Sequence, residues 1–262
     1  MSMTYRMTRT LPEDRVAIII PVDHGLIFDR LEGLESPTKV FEEFAGEDIT
    51  GFMLTPGQVK QTESFFARNP HLSRVLTIDT FYDYRLQDGT GSHELITTVE
   101  EAVRMGVDAV KMLFPWNISN EKRAAMCRRV GEVVTKCDAW DIPLVLEPVI
   151  IGAPRSPKVL EEEERVARIA YELGAHIIKI AFPGEERTRR LVQELGVPLV
   201  IAGGPRSGAI EETIEEVRQT IVAGARGLIV GRNVWQRPMA DAHDTLGRLA
   251  RLSRQDRQLQ PA

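Results

Sequence analysis

Three charged residues of this chain stand inside otherwise apolar, strand-like segments. Lys179 lies in HIIKIAFPG, Lys111 in AVKMLF and Glu147 in PLVLEPV. A buried lysine is costly unless it is paired, or unless its pKa falls until the amine is neutral. A neutral, desolvated amine is the form that attacks a carbonyl group to give a Schiff base. Lys179 is therefore a candidate nucleophile, and the alternative is a strand lysine whose tip reaches solvent.

Short apolar runs recur along the chain, most of them separated by amphipathic, charged stretches. The eight runs are Val16–Gly25, Gly51–Gly57, Arg74–Thr80, Ala109–Phe114, Pro143–Val149, His176–Phe182, Pro198–Gly204 and Gly227–Asn233. Their continuous hydrophobicity indicates strands covered on both faces, as in a parallel sheet. The stretches between them predict helices over Ser36–Gly46, Thr97–Gly106, Ile118–Cys137, Ser156–Gly174, Glu185–Gly196 and Ser207–Gly224. This alternation predicts an α/β fold, a (β/α)8 TIM barrel, with an open doubly wound sheet as the alternative.

Composition narrows the class of protein further. We expect one domain over residues 1–252 and a flexible C-terminal tail over 253–262. The net charge of −5, with scattered Lys and Arg, argues against a nucleic-acid partner. No apolar run reaches the roughly 18 residues of a membrane span, and the N-terminus lacks the apolar core of a secretory signal. Cys127 and Cys137 share one predicted helix at a separation of roughly 15 Å, which is too far for a disulfide. A cytoplasmic protein with free thiols, and with no metal ion or other cofactor, is therefore expected.

Active sites of such barrels form at the C-terminal ends of the strands. The polar and glycine residues near those ends are Asp23, His24, Asp79, Lys111, Glu147, Lys179, Gly203, Gly204, Gly231 and Arg232. Inward-facing side chains of one barrel layer come from alternate strands, so Lys111 and Lys179 can share a height with Glu147 between them. A second cation would lower the pKa of Lys179, and Glu147 could carry protons. The alternative is an ion network that only neutralises buried charge.

Two glycine-containing turns follow the last two predicted strands. IAGGPRSG contains Gly203 and Gly204, and IVGRN contains Gly231. Backbone N–H groups in such turns can approach an anion closely, and this is the usual phosphate site of TIM barrels. Arg206 and Arg232 could add charge-assisted hydrogen bonds, or could simply be solvated.

Several of these motifs resemble a known family. PVDHG, IIKIAFPG, VIAGGP and GRNVWQRP are similar, in this order, to motifs of class I aldolases of the deoxyribose-phosphate and archaeal-type fructose-bisphosphate aldolase superfamily. The resemblance runs from about Val16 to Pro238. It implies that Lys179 forms the Schiff base and that Asp23 orients substrate or assists proton transfer. It also implies that the glycine turns and Arg232 bind phosphate.

One segment departs from that pattern. Archaeal-type fructose-bisphosphate aldolases place an acid/base tyrosine just after strand five, whereas this chain reads LEPVIIG. DAVKMLF and LEPV look more like class I tagatose-bisphosphate and sulfofructose-phosphate aldolases. That resemblance implies that Lys111 lies in the site and that Glu147 is the acid/base.

The expected function is a class I, metal-independent aldolase that cleaves or forms a C–C bond in a phosphorylated ketose. One alternative is an imine-dependent transferase, either a transaldolase-like sugar synthase or a phosphorylated-signal thiolase. A second is a phosphosugar isomerase or sensor without Schiff-base chemistry. His24 and Asp79 are expected to contact substrate, with a structural role as the alternative for His24. The expected partners are a small phosphorylated sugar and further copies of the chain, since such barrels often assemble through their outer helices.

Overall fold

Eight parallel strands close a barrel in the computed structural model, which describes residues 1–28, 30–82, 92–153, 156–206 and 208–255. In chain order the described strands are β1 (Ala17–Pro21), β2 (Gly51–Leu54), β3 (Ser73–Thr77), β4 (Asp79–Tyr82), β5 (Ser92–Leu95), β6 (Ala109–Pro115), β7 (Leu144–Val149), β8 (Ile177–Ala181), β9 (Leu199–Ala202) and β10 (Gly227–Ile229). Neighbours round the barrel follow the chain, in the order β1, β2, β3, β6, β7, β8, β9, β10 and back to β1. The strands β4 and β5 pair only with each other, as an antiparallel hairpin.

Helices surround the barrel, most of them on its outer face and the N-terminal one at its lower end. They are α1 (Met3–Thr10), α2 (Gly25–Phe28), α3 (Pro37–Phe44), α4 (Pro56–Gln61), α5 (Glu63–Arg68), α6 (Val99–Arg104), α7 (Asn120–Ala139), α8 (Pro157–Glu172), α9 (Glu185–Leu195), α10 (Ile210–Val222), α11 (Arg232–Trp235) and α12 (Met239–Gln255). The eight predicted strands and six predicted helices are confirmed, with ends that differ by a few residues. Among the described residues, no helix is long and apolar enough to cross a bilayer.

Strand periodicity divides the core into two layers. Alternate residues of the barrel strands point outward and pack under the helices, as Val110, Met112, Ile178 and Ile180 do. The other residues point inward and fill the barrel with a separate apolar layer. That inner layer consists of Ala17, Ile19, Met53, Val75, Ala109, Val145, Ile177, Val200 and Ile229, together with Leu11. Apolar side chains therefore fill the N-terminal half of the barrel, and the inward-facing charged residues of the described strands lie in the C-terminal half.

The N-terminal helix α1 closes the bottom of the barrel and has no counterpart among the predicted elements. The Ser2 hydroxyl caps it by accepting a hydrogen bond from the N–H of Tyr5 at 3.3 Å. Leu11 inserts its side chain into the inner apolar layer, and Met7 packs against it. Arg9 binds the Asp108 carboxylate just before β6, with 2.6 Å between Nε and Oδ1. These contacts fasten the chain start under the strands.

The hairpin β4–β5 departs from the predicted third strand, which was expected to continue through Thr80. The barrel strand β3 ends at Thr77, and the backbone N–H of Ile78 then bonds the carbonyl of Lys111 at 3.0 Å. From Asp79 onward the chain leaves the barrel wall to form the hairpin. At the C-terminus, α12 continues to Gln255, and residues 256–262 of the predicted tail lie outside the described residues.

Close packing between β2 and β3 gives a test of the barrel. A Cβ atom at Gly51 would overlap the backbone carbonyl of Ser73, whereas one at Gly46 has no atom within 4 Å. We expect Gly51→Ala to lower the free energy of unfolding by about 1–3 kcal/mol or more, because backbone cannot move aside as a side chain can. Gly46→Ala, the matched control, should stay close to wild type in urea denaturation. Equal stability of the two variants would contradict the register of β2 against β3.

Candidate active site

The alternation of the strands places three charged residues inside the barrel. Lys111, Glu147 and Lys179 each lie two residues after a member of the inner apolar layer, namely Ala109, Val145 and Ile177. Side chains two apart on a strand share a face, so all three point inward above that layer. Lys111 and Lys179 are buried, with 2% and 8% of their surface exposed. The sequence thus puts an ionisable group at the top of three consecutive barrel strands.

These three side chains form one ion network. The Glu147 carboxylate lies between the two lysines, with Oε1 2.8 Å from Nζ of Lys179 and Oε2 3.0 Å from Nζ of Lys111. Each oxygen therefore has its own ammonium partner, which satisfies charges that would otherwise be costly to bury. The structure brings together the three residues as the layering argument predicts.

Electrostatics fixes the protonation of two members of the network. Burial on its own would raise the pKa of Glu147, but Lys111 and Lys179 outweigh it and hold the pKa at about 2. Burial would lower the pKa of Lys111, but the carboxylates of Glu147 and Asp79 raise it above its usual value. At neutral pH Glu147 is therefore a carboxylate and Lys111 a fixed ammonium ion. Glu147 is a proton acceptor within hydrogen-bond distance of the Lys179 amine.

Asp23 and His24 follow β1 and face the same space. Asp23 is buried, and its Oδ2 accepts a hydrogen bond from the Thr77 hydroxyl at 2.5 Å. The Nδ1 atom of His24 lies 3.6 Å from Oδ1 of Asp23, and its ring meets Trp235 edge to face at 5.4 Å between centroids. Burial lowers the pKa of His24 to about 4, despite the opposing effect of Asp23. A neutral imidazole at pH 7 can bind a substrate hydroxyl without adding charge.

The two glycine turns form the opposite wall. Gly203, Gly204, Gly231 and Arg232 all line the cavity that Lys179 borders. Gly204 has a φ of +67°, which favours glycine, and a Cβ at Gly231 would come within 2.8 Å of Pro21 Cγ. A side chain at Gly231 is thus excluded by the packing of Pro21 and Trp235, which brings the backbone of the last turn close to the first strand. Backbone N–H groups and a guanidinium on this wall are groups that can bind an anion.

The enclosed space is a cavity of about 120 Å³ at the C-terminal ends of the strands. Charged groups form its floor, the glycine turns and Arg232 form one wall, and Ile27, Leu113 and Val149 form part of the other. A groove of about 590 Å³ lies at the opposite end of the barrel, beside α1. Its Arg9 and Asp108 already pair with each other, and it has no counterpart of the lysine–glutamate network among its described lining residues.

Two residues predicted to bind substrate do not line the cavity. Arg206 is exposed and donates a hydrogen bond to the carbonyl of Gln236 at 2.8 Å, because the turn after β9 carries it outward. Asp79 is buried at the start of the hairpin, as the first residue of β4. Its Oδ2 accepts hydrogen bonds from the Leu113 N–H at 2.7 Å and from His93 Nε2 at 2.6 Å. Asp79 therefore acts on the site through its charge, which raises the pKa of Lys111, rather than by contact.

Sequence reasoning missed several residues that shape the site. Thr77 binds Asp23, as described above. Asn233 is buried, and its side-chain amide donates to the carbonyls of Gly203 at 2.7 Å and Pro205 at 3.2 Å, so it braces the turn after β9. Trp235 Nε1 donates to the Pro21 carbonyl at 3.1 Å and joins the last turn to the first strand. The motif GRNVWQRP marks this segment as a whole, but the separate tasks of its residues need the three-dimensional contacts.

The described residues include no group of three or more His, Cys, Asp or Glu side chains arranged to hold a metal ion. Cys127 and Cys137 are both unpaired thiols on α7.

Comparison with known proteins agrees with this arrangement of barrel and site. Residues 17–237 match the model of the DeoC/LacD family aldolases. An uncharacterized aldolase of Saccharolobus solfataricus is 31% identical over 238 residues, which cover 88% of this chain and 87% of that protein. The 2-amino-3,7-dideoxy-D-threo-hept-6-ulosonate synthase 1 of Archaeoglobus fulgidus is 29% identical over 230 residues, covering 88% and 83%.

Among solved structures, an archaeal fructose-1,6-bisphosphate aldolase with its catalytic lysine covalently bound to the carbinolamine intermediate superimposes with a TM-score of 0.78. The two chains are 25% identical, with 97% of this chain and all of the other covered. Fold and site thus define an aldolase of the (β/α)8 class. The chain belongs to the DeoC/LacD family of aldolases.

The ion network makes a prediction about Glu147. Replacing Lys111 with Met removes one of the two cations that oppose the effect of burial, so the pKa of Glu147 should rise from about 2. An opposite charge at this distance shifts a carboxyl pKa by about 1–3 units, and a rise of that size is expected. Carbon-13 NMR of carboxyl-labelled glutamate, assigned with Glu147→Gln, measures it.

The matched control is Lys158→Met, which removes an exposed lysine of α8. An unchanged Glu147 pKa in Lys111→Met would contradict the shared carboxylate.

Proposed function

We propose that this protein is a class I aldolase that cleaves or forms a C–C bond in a phosphorylated ketose through a Schiff base on Lys179. The observation that carries the proposal is the contact of 2.8 Å between the Lys179 amine and an ionised Glu147, at the edge of a cavity with a glycine-lined wall. Lys179 and Lys111 differ in the way such chemistry requires. Both lysines border the cavity and contact Glu147. Asp79 as well as Glu147 raises the pKa of Lys111, which has 2% of its surface exposed, whereas Lys179 has 8% exposed.

Imine formation needs a proton to leave the lysine and a proton to reach the departing hydroxyl. Glu147 takes a proton from the Lys179 ammonium, and it can hold that proton because the loss of the Lys179 charge removes one of the two causes of its low pKa. The free amine then attacks the ketone carbon to give a carbinolamine. The protonated Glu147 returns the proton to the carbinolamine hydroxyl, which leaves as water. The product is a protonated imine, and Glu147 is again a carboxylate.

Bond cleavage uses the same carboxylate as a base. Glu147 removes the proton of the C4 hydroxyl, the C3–C4 bond breaks, and its electron pair moves into the imine to form an enamine. An aldehyde leaves. Protonation of C3 and hydrolysis of the imine then release the ketone and restore the Lys179 amine. Asp23, aligned by Thr77, binds a substrate hydroxyl, and the imine replaces a metal ion as electron sink.

The wall formed by Gly203, Gly204, Gly231 and Arg232 is assigned to the phosphate of the ketone half. The Gly203 N–H already donates to the Ile229 carbonyl at 2.9 Å, so the proposed donors to phosphate are the backbone N–H groups of Gly204 and Gly231 and the Arg232 guanidinium. Because β9 and β10 follow β8 round the barrel, this wall lies directly beside Lys179. A ketone carrying a phosphate on its adjacent carbon, such as dihydroxyacetone phosphate, would place its carbonyl at the lysine.

A second candidate is an imine-dependent synthase that passes a fragment to an acceptor. The observation that favours it is the 29% identity to the Archaeoglobus fulgidus synthase over most of both chains. The two candidates share the Lys179 imine and differ in whether turnover of a ketose phosphate needs an added acceptor. Release of a free aldehyde without any acceptor favours the aldolase, and strict dependence on an acceptor favours the synthase.

Borohydride trapping tests the imine. Reduction in the presence of dihydroxyacetone phosphate should fix one ligand on Lys179, identified by peptide mass mapping, because borohydride reduces the imine to a stable amine. Lys179→Met should lose the adduct and all turnover, at least about 10³-fold, and Lys158→Met should keep both.

The location of the adduct decides between the hypotheses. An adduct on Lys111 would mean that the other lysine is the nucleophile. A ligand that binds, as measured by calorimetry, and yet gives no adduct would contradict Schiff-base chemistry and favour an isomerase or a sensor.

A further inference from the structure

The wall of the cavity opposite the phosphate wall is apolar, and this bears on the second half of the substrate. We propose that the aldehyde that this enzyme releases or accepts is short, uncharged and apolar, and is not a sugar phosphate. The inference rests on the proposed function, since it concerns the partner of the Lys179-bound ketone.

The order of the strands fixes the direction of the substrate. Going round the barrel from β10 and β9, which carry the phosphate wall, the next strands are β8 with Lys179, β7 with Glu147 and β6 with Lys111. The atoms of a ketose phosphate follow the same order: phosphate, imine carbon at C2, then the C3–C4 bond beside the base. Whatever is attached to C4 therefore points toward the side of β6, which lies across the barrel from β10.

Among the described residues, the side chains that line the cavity beyond Lys111 and Glu147 on β6 and β7 are hydrocarbon. Leu113 stands two residues after Lys111 on the same face of β6 and pairs in register with Glu147. Val149 stands two residues after Glu147 on β7, and Ile27 reaches the same space from α2. All three line the cavity. The side chain next to the base, in the direction in which C4 extends, is thus a leucine.

These walls belong to a larger packed unit. Leu113 is buried with Phe81, Ile118 and Ile151, and Ile27 and Val149 pack against this group. We call these six residues the mouth cluster. It is separate from the main core and from the inner layer of the barrel. A side chain held by several others cannot turn aside readily for a charged group, so the apolar wall is a fixed feature of the site.

The described charged groups of the cavity floor already have partners within the protein. Glu147 engages both Lys111 and Lys179, and the hydroxyl of Thr77 binds Asp23. The phosphate of an aldehyde such as glyceraldehyde 3-phosphate would lie against the mouth cluster, where a dianion exchanges its hydration for contact with hydrocarbon. An alkyl group in the same place loses only unfavourable contact with water.

Formation of the C3–C4 bond uses the same residues. In the direction of synthesis, C3 of the enamine attacks the aldehyde carbon, and the C3–C4 bond forms. The electron pair of the C=O bond moves to oxygen, which takes the proton of Glu147, and the enamine becomes a protonated imine. Water then hydrolyses the imine and releases the ketose and the Lys179 amine. The alkyl chain of the aldehyde stays against Leu113 and Val149 throughout.

The test is a series of acceptors with dihydroxyacetone phosphate as the ketone: acetaldehyde, propionaldehyde, butyraldehyde and glyceraldehyde 3-phosphate. We expect kcat/KM to rise about fourfold with each added methylene until the cavity is full, from the free energy of burying one CH2 group. Butyraldehyde should exceed glyceraldehyde 3-phosphate at least about tenfold, because the dianion is desolvated against the mouth cluster. A flat or falling series, or preference for the phosphorylated aldehyde, would overturn the proposal.

Variants of the apolar wall test whether it causes the rise of kcat/KM with aldehyde chain length. Leu113→Ser should abolish that rise. Ile27→Ser should reduce the rise of kcat/KM with chain length. Ile27 is half-buried, so this substitution should disturb folding less than one at Leu113. Ile169→Ser is the matched control, since Ile169 is a half-buried isoleucine of α8 that packs against the main core and does not line the cavity. It should keep the wild-type rise, and an equal loss of the rise in this control would overturn the assignment.

Borohydride trapping of dihydroxyacetone phosphate separates this proposal from the proposed function. An adduct on Lys179 together with preference for glyceraldehyde 3-phosphate would refute only the apolar aldehyde. Absence of the adduct would refute the aldolase chemistry on which it rests.

Discussion

The site depends on one carboxylate shared by two buried ammonium groups. Without Glu147, Lys111 and Lys179 would face each other inside the barrel as unpaired cations, and either charge would be expensive to bury. The carboxylate removes that cost and is kept ionised by the same contacts. Stability and chemistry therefore depend on the same three side chains. Asp79 adds a further negative charge that raises the pKa of Lys111.

The circular order of the strands turns this network into a directional site. The inner apolar layer and α1 fill the lower barrel, and the charged groups of the site lie above them, toward the C-terminal ends of the strands. There the glycine turns after β9 and β10, the lysine of β8, the glutamate of β7 and the leucine of β6 follow one another round the ring. In the proposed function, a ligand that spans the mouth meets in that sequence the wall assigned to phosphate, the proposed nucleophile, the proposed base and an apolar wall.

The barrel strands and the three charged residues of the network could be predicted from two simple patterns in the sequence. Uninterrupted apolar runs indicate the eight strands, and a charged residue between apolar neighbours indicates that Lys111, Glu147 and Lys179 face inward. What could not be predicted depends on where loops go. Arg206 and Asp79 lie within four residues of a strand end, as Gly203 does, yet one turns outward and the other enters a hairpin. The helix α1 is short and the residues it buries, Arg6 and Thr10, are polar, so its docking is visible only with the barrel in place.

A crystal structure of the enzyme soaked with dihydroxyacetone phosphate would test the nucleophile and the direction of the site together. We expect continuous electron density from Nζ of Lys179 to C2 of the ligand, with the phosphate against Gly203, Gly204, Gly231 and Arg232. We also expect C3 to face the Glu147 carboxylate, with Leu113 beyond it. A ligand joined to Lys111, or one bound with its phosphate against the mouth cluster, would contradict this arrangement.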